Sequence, residues 1–428
     1  MINFSKFNRH WTENVTYPYE KKRDFFETLL SFKNKRQIIA LTGLRRTGKT
    51  VLMKQLINQL VTEGTPRRNI LYFSFDEAKP PLDELLTEYK GATAVDLEKD
   101  NVYIFLDEVQ KLDNWQNQVK TYYDNYENLK FFVTGSSTLF IKKKAEESLA
   151  GRVYVLELPV LTFKEYLDFR GKTQQANTPD MFAEEMKSEF LTYVRRNFIE
   201  TINEDDATTR LYLESIVNKI VYEDIPALFP VENPEKLKTI LKAVYSNPGM
   251  LINYANLGND LGLNARTVEK YVDYLVKTRI IKKLYNYSRN FLTSEKKSKK
   301  LYVTAPSFCF LNEEHDFSKI AENVIASNGP ITFFWRTPQK EEIDFIANIN
   351  GKPYPIESKY SEKPVSTNDL KALKKFLRQN SVPEGRVITK TTETPLTNGI
   401  RQTPLWKYAL NPDLPNSEPG QTQPEETA

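Results

Sequence analysis

The chain has little sulfur or imidazole to work with: one cysteine, Cys309, and two histidines, His10 and His315, in 428 residues. A single thiol excludes a disulfide framework and a cysteine metal cluster, and two distant histidines argue against histidine-based zinc chemistry. Long apolar runs are missing too. No stretch approaches the ~20 residues needed to span a bilayer, and the N-terminus lacks a signal-peptide pattern, so a cytoplasmic location without a membrane partner is expected. Neither sign of charge dominates: 60 basic against 56 acidic residues leave +4, which alone says little about partners. What is present is a globular composition, 40% hydrophobic and 27% charged. The length exceeds one ordinary core, so two or three domains are expected.

Gly43-Leu44-Arg45-Arg46-Thr47-Gly48-Lys49-Thr50 spells a phosphate-binding loop. Ile38-Ile39-Ala40-Leu41 before it reads as a buried strand, and Val51-Leu52-Met53-Lys54-Gln55-Leu56 after it as the start of a helix. Strand, glycine loop and helix N-terminus together present backbone N–H donors to phosphate oxygens. In this reading Gly43, Thr47, Gly48 and Val51 surround the nucleotide, and Lys49 reaches its β- and γ-phosphates. The Thr50 hydroxyl ligates Mg²⁺. Arg45 and Arg46 touch either phosphate or DNA. ATP with Mg²⁺ is the expected ligand.

Ile70–Phe75 reads as a second strand, ending in Asp76-Glu77, and Val102–Leu106 as a third, ending in Asp107-Glu108. Apolar residues followed by Asp-Glu suit hydrolysis: Asp107 orients the Mg²⁺ shell, and Glu108 polarises the attacking water as general base. A fourth strand, Phe131–Thr134, runs into Gly135-Ser136-Ser137, where Ser136 is either a γ-phosphate contact or a simple turn residue. Phosphoryl transfer also wants a cation from outside the loop. Arg152 is the candidate, as an arginine finger supplied by a neighbouring subunit of a homo-oligomer.

The series Gly-x-Arg-Arg-x-Gly-Lys-Thr, Leu-Asp-Glu-Val-Gln-Lys, Thr-Gly-Ser-Ser and Leu-Ala-Gly-Arg resembles one prokaryotic branch of the AAA+ ATPases over roughly residues 35–165. In that branch an ATPase core precedes a C-terminal domain of poorly defined function, and an arginine of the same kind stands at the Arg152 position. The chain departs from the branch in its lid, with Arg195-Arg196-Asn197-Phe198-Ile199 where a Gly-Gly-φ-Pro stretch is usual.

Residues 161–232 alternate charged and apolar residues at helical spacing, which predicts a helical lid. Leu237, Ile240, Leu241 and Val244 mark a helix stopped by Asn247-Pro248-Gly249. Ile252 to Leu261 marks a second, ended by Gly262. Asn264 caps a third that carries Val268, Tyr271, Val272 and Leu275 on one face. With the Ile280-Ile281 strand this looks like a winged helix-turn-helix over 233–300. Arg266, Thr267 and Lys270 would then face a DNA groove, and Lys282, Lys283 and Arg289 its phosphates. Packing or lid duty without DNA is the alternative.

Glu342-Ile343-Asp344-Phe345-Ile346, a turn at Asn350-Gly351, and Tyr354-Pro355-Ile356-Glu357-Ser358-Lys359 predict a hairpin with a type I′ turn. Pairing brings the Asp344 and Glu357 carboxylates together with Lys359 on the same face. Two carboxylates can hold Mg²⁺ while the lysine activates water; Glu322, from a preceding helix, could add a third. A cross-strand salt bridge without catalysis is the alternative. The Asp…Glu-x-Lys arrangement resembles the restriction-endonuclease-like fold over 301–410, and with it a nuclease site at Glu322, Asp344, Glu357 and Lys359. Residues 411–428, rich in Pro, Glu and Gln, are expected to be disordered.

The expected fold class is therefore α/β: a P-loop AAA+ core with a parallel sheet (1–160), a helical lid, a winged helix-turn-helix and a restriction-endonuclease-like α/β domain. The expected function is a Mg²⁺-dependent ATPase coupled to a DNA-facing C-terminal half, with nuclease activity open. The rival is a nucleotide-switched regulatory or scaffold protein. A nucleoside or nucleotide kinase fits less well, because no acceptor-binding motif is visible.

Overall fold

The computed structural model describes residues 2–135, 149–366 and 368–412. The chain divides into two compact units, Met1–Pro159 and Val160–Ala428.

In the first unit the apolar runs form β1 (Ile38–Thr42), β2 (Ile70–Ser74), β3 (Val102–Asp107), β4 (Leu129–Thr134) and β5 (Val153–Glu157). They pair in the order β2-β3-β4-β1-β5, parallel throughout. Four of these strands were expected. The fifth was not, although Val153-Tyr154-Val155-Leu156 has the β-branched and aromatic character of a strand. Every residue of β1 and β4 is buried, which is why these strands read as continuous apolar runs rather than alternating ones. Alternate residues of β1 serve two cores. Ile38 and Ala40 face one that contains Phe73, Tyr89 and Trp115; Ile39 and Leu41 face another that contains Leu52, Leu56 and Leu60. Helix α1 (Lys49–Thr62) supplies those leucines at helical spacing, while α2 (Leu82–Thr93) and α3 (Trp115–Asn125) bring Tyr89 and Trp115 to the opposite core.

The second unit opens with helices. Thr162 and Glu165 form a reciprocal capping box that starts α4 (Phe163–Phe169), followed by α5 (Ala183–Arg195) and α6 (Asp206–Lys219). Next come α7 (Pro234–Ser246), α8 (Tyr254–Leu261) and α9 (Ala265–Lys277), the three helices expected from periodicity, except that Ile252, expected in the second, lies in a short strand before it. Their apolar stripes are buried as predicted. Gly262 ends α8 at φ 64°, and the Asn264 side chain accepts from the Thr267 N–H at 2.8 Å to start α9.

Among the described residues nine strands make one mixed sheet in this unit, in the order β13-β14-β12-β11-β10-β9-β7-β8-β6. They are β6 (Met250–Ile252), β7 (Ile281–Asn286), β8 (Lys299–Val303), β9 (Ile331–Arg336), β10 (Glu342–Ile349), β11 (Lys352–Lys359), β12 (Gly385–Thr389), β13 (Thr394–Thr397) and β14 (Ile400–Pro404). The boundary expected between 300 and 301 falls inside β8. Parallel pairing of β7 with β9, at Tyr285 with Phe333 and Asn286 with Phe334, carries the sheet across that point. The β10–β11 hairpin turns at Asn350 (φ 51°) and Gly351 (φ 77°), the type I′ geometry predicted. Among the described residues no helix is long and apolar enough to cross a membrane. The tail beyond residue 412 lies outside the described residues.

Candidate nucleotide site and a second acidic cluster

Gly43 leaves β1 at φ 141°, and a Cβ there would stand 2.4 Å from the Leu158 carbonyl oxygen. Only glycine lets the loop begin this close to the chain that follows β5. Gly48, at φ 97°, ends the loop and α1 starts at Lys49. Arg23 braces the loop from behind: its guanidinium donates to the carbonyls of Thr47 and Pro159, each at 3.1 Å. The Lys49 ammonium donates to the Gly43 and Leu44 carbonyls at 3.1 and 2.9 Å, which holds it over the loop. Arg46 is exposed at φ 68° and Arg45 is half-exposed.

Because β4 lies between β1 and β3, Thr134 at its carboxyl end stands between the loop and Asp107. Ligand sites of parallel sheets form at this edge. Asp107 collects three hydroxyls. Thr50 and Tyr72 both donate to its Oδ2 at 2.8 Å, and Thr134 donates to its Oδ1. Since the Thr50 proton goes to Asp107, the Thr50 oxygen keeps its lone pairs for a cation. These residues therefore fit Mg²⁺. Glu108 adopts a left-handed conformation at φ 54°, its N–H donates to Thr134 Oγ1 at 3.1 Å, and its carboxylate accepts from the Gln110 amide. Burial pushes the Glu108 carboxyl above its ordinary range and Asp107 adds to this, against the pull of Lys49. Strained backbone at Arg46 and Glu108 is the kind that gathers at working sites.

The structure thus gathers Lys49, Thr50, Asp107 and Glu108, with Val51 on the first turn of α1. Ser136 lies outside the described residues; Thr134, two positions earlier, bonds Asp107 and the Glu108 N–H. Arg152 does not join the site of its own chain. Its carbonyl accepts from the Ile38 N–H at 2.8 Å, at the start of β1, so the length of the strand, roughly 16 Å, separates it from the loop edge. Its guanidinium pairs with Asp124 at 2.7 and 3.2 Å. Sequence reasoning missed Arg23, Tyr72 and Thr134. Thr134 was legible as the polar end of a buried strand; the other two carry no motif.

The second unit places Asp344 opposite Glu357, continuing the register of Phe345 with Ile356. The Ser358 N–H donates to Asp344 Oδ2 at 2.9 Å, and Lys359 donates to Glu357 Oε1 at 2.6 Å. Burial and then Asp344 push Glu357 up to about 8, opposed by Lys359. Its Oε2 is buried with no hydrogen-bond partner among the described residues. Glu322, on α10 (Phe317–Ser327), accepts from the Tyr302 hydroxyl at 3.3 Å. One feature was unexpected. Lys300 of β8, its side chain 5% exposed, pairs with Glu342 at 2.5 Å and with Asp344 at 3.7 Å, and feels Glu322 as well. Among the described residues no three His, Cys, Asp or Glu side chains are placed to hold a metal ion. Glu322, expected to join Asp344 and Glu357, meets the cluster through the Tyr302 hydroxyl, and the Lys300 ammonium stands beside Asp344.

Of the cations expected on a free wing, Lys282 and Lys283 are half-buried against partners and Arg289 is exposed. Lys282 donates to the Ala326 carbonyl at 2.8 Å, Lys283 pairs with Asp273 at 3.0 Å, and Arg289 donates to the Gln379 carbonyl at 3.4 Å. On α9, Arg266 and Lys270 are exposed and Thr267 is half-exposed.

A parallel sheet, a glycine loop and a hydroxyl-bonded carboxylate at its carboxyl edge make an α/β core of the P-loop AAA+ fold class. Residues 35–167 match the family model described as an AAA domain. Residues 179–310 and 310–408 match two domains of unknown function, DUF8612 and DUF4143. An uncharacterized protein of Methanocaldococcus jannaschii, MJ1544, is 25% identical over 409 residues, covering 87% of this chain and 88% of that one. An uncharacterized Haemophilus influenzae protein is 25% identical over 278 residues, 62% of this chain; the match spans 66% of that relative's own length. Among solved structures, the Aeropyrum pernix ORC2 protein in its ADP form aligns with 65% of this chain and 91% of its own, at 15% identity and a TM-score of 0.34.

Proposed function

We propose that the Met1–Pro159 unit binds ATP with Mg²⁺ and hydrolyses it. The observation that carries this is the Thr50–Asp107 hydrogen bond beside a buried Glu108. Loop N–H groups and Lys49 bind the phosphates, and Thr50 and Asp107 hold the cation's shell. When bound, Mg²⁺ offsets negative charge on the phosphate oxygens. Glu108 takes the proton of the attacking water. Its raised carboxyl must be ionised to do so, so turnover falls on the acid side at a pH above the ordinary carboxylate value of 4.5. Glu108→Gln is expected to retain ATP and to slow phosphate release by about 10²–10⁴-fold. Undiminished release would sink the assignment. Arg152 acts, in this reading, as a finger on a neighbouring subunit's nucleotide.

The second unit couples hydrolysis to DNA through a winged helix whose exposed Arg266 and Lys270 on α9 face the duplex. ATP turnover measured with and without single- and double-stranded DNA tests this, and absence of any stimulation counts against it. A restriction-endonuclease-like site at Asp344, Glu357 and Lys359 is favoured by the unpartnered Glu357 Oε2. Plasmid nicking in Mg²⁺ or Mn²⁺ that Lys359→Ala abolishes would support it. The rival, a nucleotide-switched scaffold, is favoured by Lys300 among the acids; equal inertness of wild type and Lys359→Ala would support that instead.

A further inference from the structure

β2 is the edge strand of the parallel sheet, and its outer backbone groups would otherwise be unpaired. Asn8 covers them. Its Oδ1 accepts from the Tyr72 N–H at 2.7 Å, and its Nδ2 donates to the Tyr72 carbonyl at 3.0 Å and to the Phe4 carbonyl at 3.0 Å. One side-chain amide, 1% exposed, thus imitates a neighbouring strand for one residue. Beside it, His10 Nε2 and Trp11 Nε1 both lie on the Ile70 carbonyl, at 3.0 and 2.8 Å. The N-terminal segment therefore fixes the strand from which the Tyr72 hydroxyl reaches Asp107 Oδ2, the oxygen that also accepts from Thr50. Lys54 of α1 sits over the Tyr72 ring, 5.4 Å from its centroid, and closes this side.

We infer that Tyr72 is a positioning residue for Asp107, and that Asn8 makes the cation shell of the nucleotide site depend on the N-terminal segment. The inference rests on the proposed ATPase reading. Without the Tyr72 hydroxyl, Asp107 Oδ2 keeps only Thr50, and Thr134 on Oδ1 is left as the other hold on the rotamer that directs the Thr50 oxygen outward. Losing a hydrogen bond to a buried carboxylate corresponds to about a 10–100-fold effect.

The test uses the full chain and the variants Tyr72→Phe and Asn8→Ala, with ATP turnover titrated against Mg²⁺. Tyr72→Phe keeps the ring and its packing. It is expected to lower kcat and raise the half-saturating Mg²⁺ concentration by about 10–100-fold, with ATP binding in EDTA unchanged. Asn8→Ala is expected to move the Mg²⁺ midpoint the same way by a smaller factor. If Tyr72→Phe changes only the melting temperature, the hydroxyl serves packing and the inference fails. If Asn8→Ala alone leaves the midpoint fixed, the N-terminal coupling fails and Tyr72 stands. A wild type that neither binds nor turns over ATP would remove the ATPase reading itself, a result distinct from either.

Discussion

The two acidic constellations of this chain are built from similar carboxylates and opposite donors. Asp107 is held by the hydroxyls of Thr50, Tyr72 and Thr134, which orient it and add no charge. Asp344, Glu342 and Glu357 are met by cations of the chain, Lys300 and Lys359 with Arg336 on Glu342 at 3.1 Å, which offset theirs. Hydroxyl donors leave a negative site prepared for a cation from solution; ammonium donors supply the cation from the chain. Counting carboxylates therefore says less about metal chemistry than asking which atoms point their protons at them.

The largest effect that would sharpen this contrast is at Lys300. Lys300→Met takes the buried ammonium from half-buried Glu342 and Asp344, while Arg336 keeps its pair with Glu342 at 3.1 Å, and a loss of about 1–3 kcal/mol is expected in denaturant unfolding. The loss is expected to be greater at about pH 8 than at about pH 5, because Glu322, already raised by burial and Asp344, takes up a proton in acid. Equal stability of variant and wild type would break the contrast. Next in size is Glu357→Gln. The native value of Glu357, pushed up to about 8, exceeds the unfolded value of 4.5, so its contribution to stability is present below about 4.5 and is lost as pH rises through about 8. Thermal melts at about pH 5 and about pH 8.5 are expected to show the variant gaining on wild type in base; a parallel pH profile would contradict that. Arg152→Ala is expected to do least, since its partner Asp124 is on the surface: no change in melting temperature and none in the turnover of isolated monomers. A fall in turnover only under conditions of assembly would assign it to a neighbour's site.

Legibility differed between the two units. The phosphate loop, four of the five strands of its sheet and the Asp107-Glu108 pair were readable because parallel strands buried on both faces leave continuous apolar runs, and because loop chemistry imposes spacing within a few residues. The fifth strand was readable in principle but lay outside any motif. In the second unit the helices of 234–277 and the Asn350-Gly351 turn followed from local rules of capping and left-handed backbone. The sheet did not. Nothing in the β7 sequence says that it pairs with β9 some fifty residues on, and that pairing joins regions that read as separate domains. Lys282 and Lys283 are likewise turned to partners in the helices at 317–327 and 265–277, which periodicity along the chain does not announce.

By itself the sequence determined the layout of the loop edge: where the glycine loop lies between strand and helix, that Thr50 stands at the helix start, and that Asp107-Glu108 ends a neighbouring strand. These assignments rest on short-range geometry, a few residues of strand, loop and helix start. Only the tertiary structure decided what each acid is bonded to. Tyr72 and Thr134 reach Asp107 from neighbouring strands, and Lys300 reaches Glu342 and Asp344 from a strand assigned elsewhere by pattern. Donor identity is a property of contacts distant in sequence, and periodicity along the chain holds no record of it.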